Sequence, residues 1–348
     1  MRNFRDHLIT QEKTIKEALI MLDVLAKDAI LFVVNENDIL IGALTDGDVR
    51  RGLLKGITIE DLVNIIIQTN PKFIRKGDRD ITKIIEYREA NFRILPVLDK
   101  HNKVVNVINF RENRSYLPVD AVIMAGGRGT RLQPLTDTIP KPLLKVGGKA
   151  IMEYNIDRLA LYGIDDYWFS VKYLGEQIEE YFGNGNDKNR NIDYVWEETP
   201  LGTIGAVSKI KNFEHDYILL TNSDILTNLD YELFFLDFLE QDADFSVVTI
   251  PYKVNVPYAV LETSQREITS FKEKPSYTYY SNGGIYLIKR SVLQYIPEGS
   301  FYNATDLMEK LIAEKKKIIS YPMSGYWLDI GKHEDFKKAQ EDIKNIKL

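Results

Sequence analysis

A cluster of glycines directly behind an apolar stretch is the first place where this chain could handle phosphate. Ala121-Val122-Ile123-Met124 reads as a strand, and Ala125-Gly126-Gly127-Arg128-Gly129-Thr130-Arg131-Leu132 comes directly after it. A strand that runs into a glycine-rich turn presents backbone N–H groups to an anion. Glycine permits the close approach and the unusual dihedrals this needs. The turn lacks the Lys-Ser/Thr ending of a Walker loop and the dinucleotide-binding fingerprint. Pro140-Lys141-Pro142-Leu143-Leu144 comes shortly after and adds a cation. Tyr217-Ile218-Leu219-Leu220-Thr221-Asn222-Ser223-Asp224 is an apolar run ending in an acid. The carboxyl end of a strand is where open α/β sheets place ligands.

Composition narrows the chemistry further. The chain has 348 residues, enough for two or three domains, with 44% apolar and 28% charged residues. A net charge of −6 gives no basic face for nucleic acid. Lys315-Lys316-Lys317 reads as a solvated helix end. The absence of cysteine excludes disulfides, thiolate metal sites and cysteine catalysis, and the four histidines are scattered without metal-ligand spacing. MRNFRDHLIT carries no apolar signal core, and no stretch approaches 18 apolar residues. The expectation is a cytoplasmic protein with no membrane and no nucleic-acid partner.

The elements that must position these groups fall on either side of a break. Asn113-Arg114-Ser115-Tyr116-Leu117-Pro118 is polar and then carries a proline, which disfavours helix in the residue before it. The expected division is residues 1–115 and 118–348. The first part contains two similar units, about 1–56 and 57–115. Each opens with a helix pattern (Ile15 to Leu25, Ile81 to Ala90) and continues with two apolar runs separated by a turn. The runs are Ile30–Val34 and Ile39–Leu44 in the first unit, Ile94–Leu98 and Val104–Ile108 in the second. Aligned, Gly42 meets Asn106, Thr45 meets Asn109 and Asp48 meets Glu112, a self-similar period near 64 residues.

Gly42-Ala43-Leu44-Thr45-Asp46-Gly47-Asp48-Val49-Arg50-Arg51 resembles the strand-to-helix segment of cystathionine-β-synthase-type (CBS) domains. The resemblance covers nearly all of residues 1–115 and implies a tandem pair that can bind an adenine nucleotide or a pathway product. It implies that the Thr45 hydroxyl and the Asp48 carboxylate hold phosphate and ribose. Asn109 and Glu112 depart from that pattern. The alternative for Thr45 and Asp48 is a helix cap. Such pairs associate in twos, so the resemblance also implies a homodimer or homotetramer.

The composite Gly-Gly-x-Gly-Thr-Arg-Leu-x-Pro-Leu-Thr with Pro-Lys-Pro-Leu-Leu resembles the sugar-1-phosphate nucleotidyltransferases. The resemblance runs over residues 118–348. It implies an α/β fold, with a Rossmann-like glycosyltransferase-A core and a mixed, mostly parallel sheet. It also implies a reaction in which a nucleoside triphosphate (NTP) and a sugar 1-phosphate give an NDP-sugar and pyrophosphate. Both substrates are polyanions, and two unit charges ~4 Å apart repel by roughly 4 kcal/mol at an effective dielectric of ~20. Arg131 and Lys141 are the expected catalytic cations, Arg131 at the leaving phosphates and Lys141 positioning them. Arg128 reads equally well as a surface residue. Asp224 matches the first metal carboxylate of the family. Asp329, in Gly325-Tyr326-Trp327-Leu328-Asp329-Ile330-Gly331, matches the second. Hard oxygen ligands suit Mg²⁺.

The same resemblance assigns the substrates' contacts. Ala125, Gly126, Gly127, Gly129 and Thr130 would line the nucleotide, as would Gly202 and Thr203 of Pro200-Leu201-Gly202-Thr203. Phe271-Lys272-Glu273-Lys274-Pro275 matches the Glu-Lys-Pro motif, which implies that Glu273 holds sugar hydroxyls and Lys274 the sugar phosphate. Asn282 and Gly283 would face the sugar. The Pro-Leu-Gly-Thr run and the CBS pair resemble guanylyltransferases of bacterial surface-glycan pathways, those acting on glucosamine-, mannose- or heptose-type sugars. GTP is therefore the expected nucleotide. UTP, CTP or dTTP with a hexose 1-phosphate is the alternative, as is a CBS-linked pseudoenzyme.

Overall fold

The structure, a computed structural model, describes residues 3–77 and 80–346. Its N-terminal third is one pattern built twice. The first unit comprises β1 (Leu8–Thr10), α1 (Ile15–Leu25), β2 (Ile30–Val34), β3 (Leu40–Thr45) and α2 (Asp46–Leu54). The second comprises β4 (Ile74–Arg75), α3 (Ile81–Glu89), β5 (Ile94–Leu98) and β6 (Val104–Asn109). Ile30 faces Thr45 and Ile94 faces Asn109, while Val34 faces Leu40 and Leu98 faces Val104. Both hairpins slip register at the same place, between Val33 and Val34 and between Val97 and Leu98. The period read from the sequence is therefore the spacing of two equivalent hairpins. Among the described residues the second unit has no counterpart of α2. Its chain leaves β6 instead through a turn, and Arg114 N and Leu117 N donate to the carbonyls of Leu161 and Tyr162.

Thr45 and Asp48 are engaged within their own unit. Asp48 accepts from the Thr45 N–H at 2.9 Å, from the Thr45 hydroxyl at 2.6 Å, from Arg51 at 2.5 Å and from Gln68 Nε2 at 2.9 Å. These contacts hold its carboxyl below the ordinary range against the cost of burial. The arrangement is a capping box on α2. A side chain at Gly42 would come within 3.0 Å of the Gln68 carbonyl, because residues 67 and 68 lie directly on β3. A phosphate or ribose at Thr45 and Asp48 would have to displace these partners.

The rest of the chain is organised on one seven-stranded sheet. β7 (Val119–Met124) leads into the short hairpin β8 (Lys145–Val146) and β9 (Lys149–Ala150), then α4 (Ile151–Leu161). Next come β10 (Asp166–Val171), α5 (Gly175–Phe182), β11 (Asn191–Trp196), β12 (Tyr217–Asn222), β13 (Ile225–Thr227) and α6 (Tyr231–Glu240). β14 (Phe245–Asn255) pairs with β17 (Ser276–Lys289), and the hairpin of β15 (Val260–Ser264) and β16 (Glu267–Lys272) lies between them in the chain. α7 (Ala304–Ala313), β18 (Ile318–Pro322), β19 (Trp327–Asp329) and α8 (His333–Asp342) complete the unit. The strand order is β11-β10-β7-β12-β17-β14-β18, and β17 alone opposes the others. Both faces are covered, which explains the near-continuous apolar strands. Ala121, Ile123, Leu219 and Leu287 pack under α4 and α6, while Val122, Ile218, Leu220 and Ile288 pack against α7. No helix among the described residues is long and apolar enough to cross a membrane.

The two parts meet at the amino ends of β7, β10 and β12, the edge opposite the glycine-rich turn. Lys76 Nζ lies 2.9 Å from Asp166 Oδ1, and Asp165 Oδ2 accepts from Asn106 Nδ2 at 2.8 Å and from the Tyr116 hydroxyl at 3.0 Å. His215 Nε2 sits 3.2 Å from Asp166, and the His215 N–H donates to Asp120 at 2.8 Å. Further out, Arg88 makes a two-pronged pair with Glu232, both contacts at 2.9 Å. Ile81 of α3 joins the same apolar cluster as α4 and α6. Burial, with the Asp166 charge next to it, pushes the Asp165 carboxyl up to about 6, and burial pushes Asp120 up to about 6. Asp166 goes the other way. Against its own burial, the hydrogen bond from His215 and the Lys76 charge hold it well below the carboxylate range. Although burial opposes it, the imidazole of His215 is raised by the Asp166 hydrogen bond and the Asp120 charge. Asp165, Asp166 and His215 stand close enough to share a metal ion, yet the Lys76 ammonium already supplies the cation there.

Candidate active site

β7 stops at Met124 because the next residues cannot continue a ladder. Gly129 takes a left-handed conformation, φ +62°, and a side chain on it would press within 3.1 Å of Thr136 and Lys141. Its bareness lets the segment carrying Lys141 close over the turn, and the Thr136 hydroxyl fastens it by donating to the Gly129 carbonyl at 2.9 Å. Arg131 leaves this turn on one short 3-10 segment and Lys141 stands at the start of another. Asp224 lies between β12 and β13, and Asp329 ends β19.

β13 and β19 pair antiparallel with Ile225 opposite Asp329, and Ile330 N donates to the Asp224 carbonyl at 3.0 Å. Backbone hydrogen bonds thus hold two carboxylates side by side. Lys141 Nζ contacts Asp224 Oδ2. A carbon added at Gly331 would lie 3.7 Å from both terminal nitrogens of Arg131 and from Asp329 Oδ2, so these two groups also converge. Burial first, then the Asp224 charge, pushes the Asp329 carboxyl up to about 6, and Lys141 and Arg131 offset part of this. Asp224 Oδ1 and Asp329 Oδ1 are buried without a hydrogen-bond partner among the described residues. Two adjacent acids with orphaned oxygens fit a hard divalent cation.

One apolar cluster lies beneath all four charged groups. Leu132 is next to Arg131, Leu144 ends the Lys141 turn, Leu226 is two residues past Asp224, and Leu328 and Ile330 flank Asp329. Ala339 of α8 closes that cluster.

The cleft above has a volume of about 460 Å³. Ala125, Gly126, Gly127, Gly129 and Thr130 line it, together with Arg128, Arg131, Lys141, Gly202, Thr203 and Asp224. The expected nucleotide and phosphate residues are therefore in one place, although they come from segments far apart in the chain. Arg128 leans over the Tyr173 ring, 5.4 Å from its centre. Gly202 is held left-handed at φ +76°, and its missing side chain lets the Tyr302 carbonyl approach.

The sugar residues divide. The Gly283 carbonyl accepts from Trp327 Nε1 at 2.9 Å, two residues before Asp329, and Asn282 sits beside it, accepting from Gly284 N. Glu273 and Lys274 are exposed just past the end of β16 and do not line the cleft. The resemblance places their motif beside the sugar. Here it directly follows the β15–β16 hairpin, where Val256 N donates to the Pro275 carbonyl at 3.0 Å.

Glu197 is the residue that sequence reasoning passed over. It is 8% exposed and lies at the floor of the cleft. One carboxylate oxygen accepts from the Ser170 hydroxyl, the other from Leu201 N at 2.9 Å. A side chain on Gly126 would lie 2.8 Å from Glu197 Oε1, so the glycine turn passes directly over this acid. The Lys172 ammonium beside it donates to the Glu197 and Glu198 carbonyls.

Residues 120–346 match the nucleotidyl transferase family. The chain belongs to that family. It is similar to the UTP–glucose-1-phosphate uridylyltransferase of Synechocystis, 31% identical over 253 residues, and that match covers 66% of this chain and 65% of the relative. It is also similar to the D-glycero-α-D-manno-heptose 1-phosphate guanylyltransferase of Aneurinibacillus thermoaerophilus, 30% identical over 65% of this chain and 99% of the relative. The crystal structure of HddC from Yersinia pseudotuberculosis superposes with a TM-score of 0.50 at 29% identity, covering 65% of this chain and 99% of HddC. Relatives in the family thus use different nucleotides and different sugars. The chain spans just under two thirds of the length of the Synechocystis relative.

Proposed function

We propose that this nucleotidyl transferase moves a guanylyl group from GTP to a sugar 1-phosphate and releases pyrophosphate. The paired carboxylates Asp224 and Asp329, flanked by Arg131 and Lys141 at one end of a glycine-lined cleft, support nucleotidyl transfer. Asp224 and Asp329 would hold Mg²⁺, which when bound neutralises phosphate charge. The backbone N–H groups of residues 125–130 cradle the phosphates, and Arg131 balances charge on the leaving pyrophosphate. Lys141, kept in place by Asp224, orients the chain of phosphates. The sugar-phosphate oxygen forms the new bond to the α-phosphorus as the α–β bridging P–O bond breaks. No protein nucleophile is required, so catalysis rests on placement and charge.

Glu197 supports guanine. A carboxylate only accepts hydrogen bonds, and with two of its lone pairs taken it has two to offer. The guanine edge offers two adjacent donors, its ring N–H and its amino group. Uracil and thymine offer one donor between two carbonyls, which a carboxylate repels. Cytosine and adenine offer an amino group beside a bare ring nitrogen. The similarity to a heptose 1-phosphate guanylyltransferase points the same way. Pyrophosphate release measured with each of the five nucleotides, against glucosamine, mannose and heptose 1-phosphates, tests the reading. The highest kcat/KM is expected with GTP. In Glu197→Gln, the amide keeps one acceptor oxygen but sets its NH2 against the other guanine donor, and kcat/KM for GTP falls roughly 10- to 100-fold. Preference for UTP, CTP or dTTP in the wild type would overturn the base assignment. No release with any pair would overturn transfer itself.

A further inference from the structure

The seam between the two parts is not completely filled. Two adjoining cavities lie there, with volumes of about 580 Å³ and about 50 Å³. Phe4, Asn106, Asp165, Asn189 and Arg190 line both. The larger one falls in the size range of small-molecule sites. Among the described residues, those around it share no member with the glycine-lined cleft, and Thr45 and Asp48 are not among them.

Each part of the chain supplies one wall. The N-terminal part contributes Phe4 and Arg5 ahead of β1, Asp38 in the β2–β3 turn, and Lys103 and Val104 at the start of β6. The other part contributes Asp165 ahead of β10 and the segment that leads from α5 into β11. Backbone bonds shape both walls. Val104 N donates to the Asp38 carbonyl at 3.1 Å, and Asn191 N donates to the Asp165 carbonyl at 2.7 Å. Phe4 N donates across the seam to Asn189 Oδ1 at 3.3 Å.

The groups facing this space favour an anion that also carries hydroxyls. Four cations line it, in a chain whose net charge is −6. Lys76 is engaged by Asp166 and Arg190 by Asp157. Arg5 and Lys103 are exposed and form no ion pair among the described residues, and they outnumber Asp38 on their own wall. Lysine and arginine bind phosphate through charge-assisted hydrogen bonds. Arg190 is only 8% exposed, and its Nε is buried without a partner. Native proteins leave few such donors unmatched. Asn106, Asn186, Asn189 and Asn191 add amides, which like hydroxyls both donate and accept. Phe4 and Val104 supply apolar surface. We propose that this cavity binds a phosphorylated sugar, with its phosphate on Arg5 and Lys103 and its hydroxyls among the asparagines beside Arg190. A ligand gripped by both walls fastens the N-terminal part to the rest of the chain.

Calorimetric titration of the full chain tests this, with mannose 6-phosphate, glucose 1-phosphate and inorganic phosphate as separate probes at millimolar concentration. Both sugar phosphates should bind the wild type more tightly than inorganic phosphate does, and should raise its melting temperature. Arg5→Glu with Lys103→Glu should weaken their binding by at least ~10-fold, with the far-ultraviolet circular dichroism unchanged. If that variant fails to fold, Lys103→Gln alone gives the same reading in smaller measure. No heat with either sugar phosphate overturns the proposal. Equal affinity in wild type and folded variant also overturns it, since binding then lies in the glycine-lined cleft. Inorganic phosphate that binds as tightly as the sugars overturns the sugar assignment.

Discussion

Asp224→Asn lowers kcat for pyrophosphate release by at least ~10³-fold and leaves the fold intact. Asparagine keeps the shape but removes the charge that, with Asp329, makes this corner of the cleft attractive to a divalent cation. The neutral oxygen also ceases to anchor Lys141. Stability moves differently from activity. Two half-buried acids are held together by the β13–β19 backbone and repel, and burial first, then the Asp224 charge, raises the Asp329 carboxyl. Without metal, relief of that repulsion is set against loss of the Lys141 ion pair, so the variant's stability changes little. Mg²⁺ should raise the melting temperature of the wild type, since a ligand of the native state stabilises it, and should have little effect on the variant. Wild-type turnover, or equal stabilisation of both proteins by Mg²⁺, would remove Asp224 from the metal site.

Lys76→Met costs about 3 kcal/mol of stability at pH 8, more than any surface ion pair is worth. The ammonium is largely buried and stands against Asp166, with Asp165 next to it. Methionine fills the space and leaves two neighbouring carboxylates facing His215, Asp120 and Glu214. The pH dependence has a definite sign. Asp165 and Asp120 have native values near 6, above the ordinary ~3.9. The native state then binds protons more readily than the unfolded chain, and their contribution to stability falls as pH rises from ~4 to ~6. His215, raised above ~6.5, contributes fully below that value and loses its contribution as pH rises through the native one. Asp166 contributes at every pH above ~3.9 and is lost only in stronger acid. The wild type is therefore most stable in mild acid and weakens toward pH 8. The deficit of Lys76→Met shrinks at pH 5, where Asp165 is protonated. Urea unfolding at the two pH values measures this. An equal deficit at both would show that the loss is one of packing alone.

Repetition and local pattern are the features of this fold that are legible in the chain. The two hairpins of the N-terminal part are visible because apolar runs recur, and Ile30–Val34 and Ile94–Leu98 form strands where those runs lie. The glycine turn and the acids at the ends of apolar runs are visible because ligand sites sit at strand ends. The seam between the two parts is not. Lys76 and Asp166 are 90 residues apart, and nothing local marks either as buried. Glu197 is hidden beside Glu198, since two adjacent acids look alike until the end of β11 turns one inward. Glu273 and Lys274 are recognisable as a motif, but the pairing of β14 with β17 decides where a hairpin points.

The apolar cluster beneath the active site has one more implication. Arg131, Lys141, Asp224 and Asp329 rest on a common footing of Leu132, Leu144, Leu226, Leu328 and Ile330, closed by the fully buried Ala339. They cannot drift one at a time. In a map of which substitutions the protein tolerates, Ala339 would therefore register among the intolerant positions, beside the four charged residues proposed to act on the phosphates. It would do so from a helix that carries none of the four charged groups.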